Sequence, residues 1–154
     1  MSIDVIGINL YKLYMLSMKA KYAIRALIVL GKNDGKMLQI KTIAAQADVP
    51  QKFLETILLD LKNKGFVASK RGIFGGYFLA KNVNDVSVGN VIRVIDGPLA
   101  PIRCASVTAY QKCDDCVDEK TCVIRKTMIE VRNSIASVLD NKTLKELLTS
   151  GTIE

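Results

Sequence analysis

The chain of 154 residues contains no histidine. A Ser-His-Asp or Cys-His catalytic set is therefore impossible. It also lacks long apolar runs: the longest fall far short of the roughly 18 residues that a membrane helix requires, so the chain does not read as a membrane protein and no membrane partner is expected. No secretory leader opens it, because the start carries Asp4, Asn9 and Lys12 and has neither a basic n-region nor a small-residue cleavage site. No phosphate-binding glycine loop precedes a helix, and there is neither an internal repeat nor a low-complexity tract. Cysteine is missing from most of the chain, and its four copies, Cys104, Cys113, Cys116 and Cys122, all fall within one short segment. The chain reads as cytoplasmic and reduced, a setting in which clustered cysteines more often form a metal or redox site than a disulfide set.

What is present is ordinary globular material, 49% apolar and 24% charged, enough for one core plus an appendage. The net charge of +7 is unevenly placed. Residues 1–90 hold 13 Lys and Arg against 6 Asp and Glu, whereas residues 91–154 hold 9 of each. A positive field concentrated in one part of the chain suits a polyanion, since neutralised phosphates release counterions, although a solvated basic surface would look the same by composition.

The hydrophobic periodicity predicts a first helix over 17–30, ended by Gly31 and the Asn33-Asp34-Gly35 turn. A second, over 40–47, is broken by Asp48-Val49-Pro50, and a third over about 51–64 turns Leu54, Ile57, Leu58 and Leu61 inward. Two short helices around a tight break are the outline of a helix-turn-helix. Strand-like pieces at 66–69 and 77–80 flank a basic, glycine-rich turn, which predicts a β-hairpin. A helix over 88–95, capped by Ser87, precedes an irregular cysteine loop. From 123 to 139, Ile124, Met128, Val131, Ile135 and Val138 step by four and three, a short heptad seam that would serve either a partner helix or the chain's own body. Residues 143–148 add a last turn.

In a helix-turn-helix the second helix enters the major groove, and residues near its start read the bases. Those positions are Gln51, Lys52, Glu55 and Thr56, polar side chains left outside once the apolar ones are turned inward. Phe53 would either meet a thymine methyl or pack on the domain. On the hairpin, Lys70 and Arg71 are placed to approach DNA, Arg71 through the minor groove. Lys19, at the start of the first helix, joins them as a DNA-binding candidate.

Several separated motifs resemble one bacterial regulator family: Leu16-Ser17-Met18-Lys19-Ala20-Lys21-Tyr22-Ala23-Ile24-Arg25-Ala26-Leu27, Lys64-Gly65-Phe66-Val67, Arg71-Gly72-Ile73-Phe74-Gly75-Gly76-Tyr77-Phe78-Leu79 and Val88-Gly89-Asn90-Val91-Ile92. This is the family of the iron-sulfur cluster regulator IscR, the nitric-oxide sensor NsrR and the cysteine-metabolism repressor CymR, and the likeness runs from about Met15 to Leu148. It implies a homodimeric transcription regulator, not an enzyme, acting on double-stranded DNA at a palindromic operator. It implies a mainly α fold with a small β-hairpin wing: a winged helix-turn-helix domain and a long C-terminal dimerisation helix. On this reading 1–14 is an N-terminal extension, 15–97 the DNA-binding domain, 98–122 a cysteine-containing sensor loop and 123–154 the dimerisation helix and tail. The family's base-reading positions fall on Lys52, Phe53, Glu55 and Thr56, and its minor-groove arginine on Arg71.

The cysteine spacing is C-x8-C-x2-C-x5-C. Converging thiolates hold iron-sulfur clusters or zinc. The family's three cluster cysteines map onto Cys104, Cys116 and Cys122, with a longer first gap here. Its fourth ligands do not: the histidine position is Arg125 and the N-terminal aspartate position is Lys21. Cys113 is the natural substitute, giving an all-cysteine site for a 2Fe-2S or 4Fe-4S cluster of a kind readily lost in air, with solvent or a ligand from a partner chain as the alternative fourth ligand. Structural zinc or a metal-free thiol switch is the alternative at the same residues. A redox enzyme using Cys113 and Cys116 lacks the strand-helix context such a dithiol needs.

Overall fold

A computed structural model describes residues 16–151. The expectations for 1–14 and for Met15 as a natural start lie outside the described residues. The first helix, α1 (Met18–Lys32), begins where the Ser17 hydroxyl accepts from the Ala20 amide at 3.0 Å. It runs two residues further than its periodicity predicts. Gly31 does not stop it but lies inside it, and the stop comes at Asn33, whose side-chain amide donates to the Val29 carbonyl at 2.9 Å. The space Gly31 leaves is used: a Cβ there would stand 3.0 Å from a methyl of Leu148.

Helix α2 (Ile40–Ala47) ends at Asp48, whose φ of 51° makes the left-handed bend before α3 (Gln51–Asn63). Arg25 of α1 donates to the Asp48 carbonyl at 3.3 Å and so holds the bend against the body of the protein. Strands β1 (Val67–Lys70) and β2 (Gly76–Leu79) pair antiparallel with Val67 opposite Leu79 and Lys70 opposite Gly76, each one residue away from its predicted span. Tyr77 also exchanges two backbone hydrogen bonds with Leu38, of 2.8 and 2.9 Å, which ties the hairpin to the segment before α2.

Helix α4 (Val88–Ile95) has the predicted span and the predicted cap, Ser87, which accepts from Asn90 at 3.2 Å. A short 3-10 turn (Arg103–Ala105) breaks the otherwise irregular loop that leads to α5 (Val123–Asn141). No residue of α5 is buried, and its seam is partly open to solvent: Ile124, Val131 and Val138 are exposed, Met128 and Ile135 half-buried. The C-terminal end of α5 is fixed to α4. Asp140 takes a two-pronged ion pair from Arg93, at 2.6 and 2.9 Å, and its carboxylate occupies the space that a side chain at Gly89 would need.

Helix α6 (Leu144–Thr149), capped by Thr143, returns to the first domain. Residues 86–88 and 142–144 meet in an antiparallel bridge, with Leu144 donating to Val86 at 2.8 Å and Val88 to Lys142 at 2.9 Å. Leu144 enters the same core as Leu27, Leu30, Leu54, Leu58 and Val91, and Leu147 and Leu148 pack against it. The sequence groups these residues with the preceding helix. Their packing places them with α1.

Leu144 is 2% exposed. Leu144→Ala is expected to destabilise the winged-helix domain by about 2–5 kcal/mol, although it lies outside the first ninety residues. Urea unfolding followed by circular dichroism measures this; a change below about 0.5 kcal/mol would mean that α6 does not share the core.

Candidate nucleic-acid interface and cysteine loop

Helix α3 divides cleanly by side. Leu54, Ile57, Leu58 and Leu61 are buried, while Gln51, Lys52, Phe53, Glu55 and Thr56 are all exposed. Phe53, left open by the sequence, is 63% exposed and does not pack on the domain. Gln51 donates to Glu55 one turn on, at 3.4 Å, so these two side chains share one strip of the surface. The candidate DNA-reading residues of α3 thus form one outward face.

The hairpin follows directly. Lys62 of α3 donates to the Ser69 hydroxyl of β1 at 2.7 Å and fixes hairpin to helix. Lys70 and Arg71 are exposed. The turn beyond them is tight: Gly75 donates to the Gly72 carbonyl at 2.9 Å, and a Cβ on Gly75 would lie 2.2 Å from the Lys70 carbonyl. Only glycine fits there. Lys19 is placed differently from the rest. It is half-buried and its ammonium meets Asp60 of α3 at 2.6 Å, so its charge is already matched by a carboxylate.

The sequence carries one further signal of this interface. Between Asp60 and Asp85 there is no carboxylate, while Lys62, Lys64, Lys70, Arg71 and Lys81 all fall in that stretch. The hairpin and its approach carry five cations unopposed by local sequence. Lys81 is partly used within the fold, its ammonium 4.3 Å from the centre of the Phe66 ring.

Of the cysteines, Cys104 is buried on the 3-10 turn and the other three are half-buried. The loop is clamped onto α5 from within the chain. Arg125 donates to the Cys104 carbonyl at 2.9 Å, and Arg132 to the Ala105 carbonyl at 2.5 Å. Arg125 thus occupies the familiar fourth-ligand position with a structural task. Asp118 accepts from the Lys120 amide at 3.0 Å and the Thr121 hydroxyl at 2.8 Å, which lowers its pKa and shapes the turn leading to Cys122. Cys122 caps α5, its sulfur 3.4 Å from the Arg125 amide.

The neighbouring Cys104 thiol, then removal from water and the charges of Cys104, Asp115 and Cys116, push the Cys113 thiol up to about 11. Cys116 is raised as well, by removal from water and then by Cys122. Among the described residues no three His, Cys, Asp or Glu side chains stand close enough to share a metal ion. The donor chemistry, four soft sulfurs along one clamped loop, is the kind that iron-sulfur clusters and zinc require, but the side chains do not converge on one centre. Loading would have to displace protons from the thiols.

An exposed polar recognition face joined to a basic hairpin defines a winged helix-turn-helix regulator of transcription. Comparison with known proteins agrees: the family described as Rrf2, iron-dependent transcriptional regulator, matches residues 16–150. The chain belongs to this family. It is 46% identical over 141 residues to an rrf2-like HTH-type transcriptional regulator of Rhodobacter capsulatus, covering 89% of this chain and 94% of that protein. Its fold is similar to that of CymR, the global cysteine regulator of B. subtilis, with a TM-score of 0.72 at 30% identity over 89% of this chain and 98% of that one. It is likewise similar to T. potens IscR, with a TM-score of 0.67 at 29% identity over 88% of this chain and 86% of that one. These relatives are regulators and not enzymes, and members of the family bind DNA and act as dimers. Among the described residues no helix is long and apolar enough to cross a membrane.

The division of α3 has a direct consequence for stability. Lys52→Ala and Phe53→Ser are expected to leave the unfolding free energy within about 0.5 kcal/mol of the parent, whereas Leu54→Ala, one residue further on, should lose about 2–5 kcal/mol. Equal losses at Phe53 and Leu54 in denaturant titrations would show that α3 is buried on both sides.

Proposed function

We infer that the protein binds a palindromic DNA operator as a homodimer in the cytoplasm, with the start of α3 in the major groove and the hairpin beside it in the minor groove. The observation that carries this reading is the exposed strip of α3 joined, through Lys62 and Ser69, to a hairpin rich in cations and free of carboxylates. Lys52 and Thr56 supply donors for base edges, Gln51 and Glu55 a donor and an acceptor pair, and Phe53 an apolar contact for a thymine methyl. Lys70 supplies phosphate contact, and Arg71 reaches a groove whose narrowness concentrates negative potential. The open seam of α5 supports pairing with the same helix of a second copy, whose two-fold symmetry the operator would mirror. Lys19, matched by Asp60, contributes less than its position in sequence implies.

We further infer that Cys104, Cys113, Cys116 and Cys122 hold an iron-sulfur cluster. When bound, such a group supplies a centre sensitive to oxidation. The chain's own part is mechanical: Arg125 and Arg132 join the cysteine loop to α5, so any rearrangement of the loop is felt by the helix that meets the partner copy. A metal-free thiol switch at the same residues is the second reading, favoured by the four free thiols that the loop carries and by the likeness to CymR.

Arg71→Ala is expected to weaken binding to a selected operator by about 1–3 kcal/mol, and Lys70→Ala to weaken specific and unspecific duplexes alike while flattening the dependence on salt. Fluorescence anisotropy across a salt series measures both; affinities unchanged in each variant would remove the hairpin from the interface. Protein purified without oxygen should be coloured and contain iron, and Cys104→Ala should be colourless yet folded. Colourless parent protein containing zinc, or no metal at all, would overturn the cluster reading and leave the DNA reading intact.

A further inference from the structure

The hairpin carries two residues that the proposed groove contacts do not use. Ile73 and Phe74, at the tip of the turn, are 87% and 89% exposed. Isolated exposed apolar side chains are ordinary, but these two are adjacent and stand on a tightly constrained turn. The Gly75 to Gly72 hydrogen bond, the crowding that admits only glycine at 75, and the Leu38–Tyr77 bridge fix the base of the turn on the body. They follow directly on Lys70 and Arg71, within the stretch that holds five cations and no carboxylate. The charge around the tip thus favours a polyanion, while its own chemistry requires an apolar or aromatic surface. Stacked base pairs inside a phosphate backbone offer both.

We propose that Ile73 and Phe74 are an apolar wedge that enters the minor groove beside Arg71 and opens a base step, so that the protein bends its operator. Side chains of this kind, placed between bases, unstack a step and kink the duplex toward the major groove. Flexible pyrimidine–purine steps yield most easily, so the wedge would select TA or CA steps at positions where no base edge is read. The rigid turn presents the wedge already ordered, which spares the binding step that entropy. The inference rests on the DNA-binding reading above and adds to it a site of shape recognition on the hairpin tip.

The test uses the full chain and duplexes of about 30 base pairs, long enough for two half-sites, enriched by it from a randomised pool. Enriched duplexes are resynthesised with 2-aminopurine at each pyrimidine–purine step and with dyes at both ends. The expected result is a rise in 2-aminopurine fluorescence at one step in each half-site together with shortened end-to-end distance. The Ile73→Ser, Phe74→Ser double variant should lose both signals and about ten-fold in affinity. Its unfolding midpoint should match the parent, because neither side chain is buried. Tight binding by the parent without unstacking at any step, or unchanged signals in the double variant, would overturn the wedge and leave DNA binding standing. A pool that yields no enriched sequence would overturn the DNA-binding reading itself, and the wedge with it.

Discussion

The stripe of Ala20, Ala23 and Ala26 along α1 is fully buried, and its small side chains let neighbouring elements come close. Helices α2, α3, α4 and α6 and strand β2 all pack on α1. Interiors are packed nearly as densely as crystals, so a larger side chain on this stripe would displace a whole element and not merely fill a gap. The orientation of α3 is set from this side: Leu54, Ile57, Leu58 and Leu61 are drawn into the core around α1, and the residues between them are thereby left outside. The recognition face is the complement of the core.

The same dependence reaches the far end of the chain. Leu144, Leu147 and Leu148 seat α6 near α1, Gly31 makes the room, and the bridge between 86–88 and 142–144 closes the circuit. Between these anchors α5 has one fixed end, where Asp140 lies over Gly89 against Arg93, and one end that carries the cysteine loop. The Arg93–Asp140 pair is partly exposed, so its geometry matters more than its energy: it fixes where α5 leaves the body.

Much of this was legible in the sequence because the signals were local. The spans of α2 and α4, the Ser87 cap and the inward face of α3 follow from periodicity and capping alone. The strands were displaced by one residue because a hairpin of four-residue strands has few side chains to mark its register. Gly31 was misread because a glycine inside a helix and one ending it look alike until Leu148 is known to need its space. The ion pair of Lys19 with Asp60 joins residues far apart in the chain, and no local pattern announces it. The absence of carboxylates between Asp60 and Asp85 was different in kind, since it was visible in the sequence and had only to be counted.

The distribution of charge and of anchoring separates two tasks. Unspecific attraction to a polyanion comes from the hairpin and its approach, where the cations are concentrated, whereas the region after residue 90 is balanced and adds little to the far field. On the proposed reading, regulation through the cysteine loop would not act mainly by adding or removing net attraction. It would act by geometry, through contacts that are continuous from Cys104 and Ala105 by way of Arg125 and Arg132 into α5, and from Asp140 into α4 and α1. Continuity alone transmits nothing unless some part of it has two arrangements. The clamped loop is the segment that chemistry at the thiols would alter, and in the proposed dimer the angle at which α5 meets its partner would set the spacing of the two recognition helices. A dimer that reads two half-sites is sensitive to that spacing even when every side chain on each α3 stays in place.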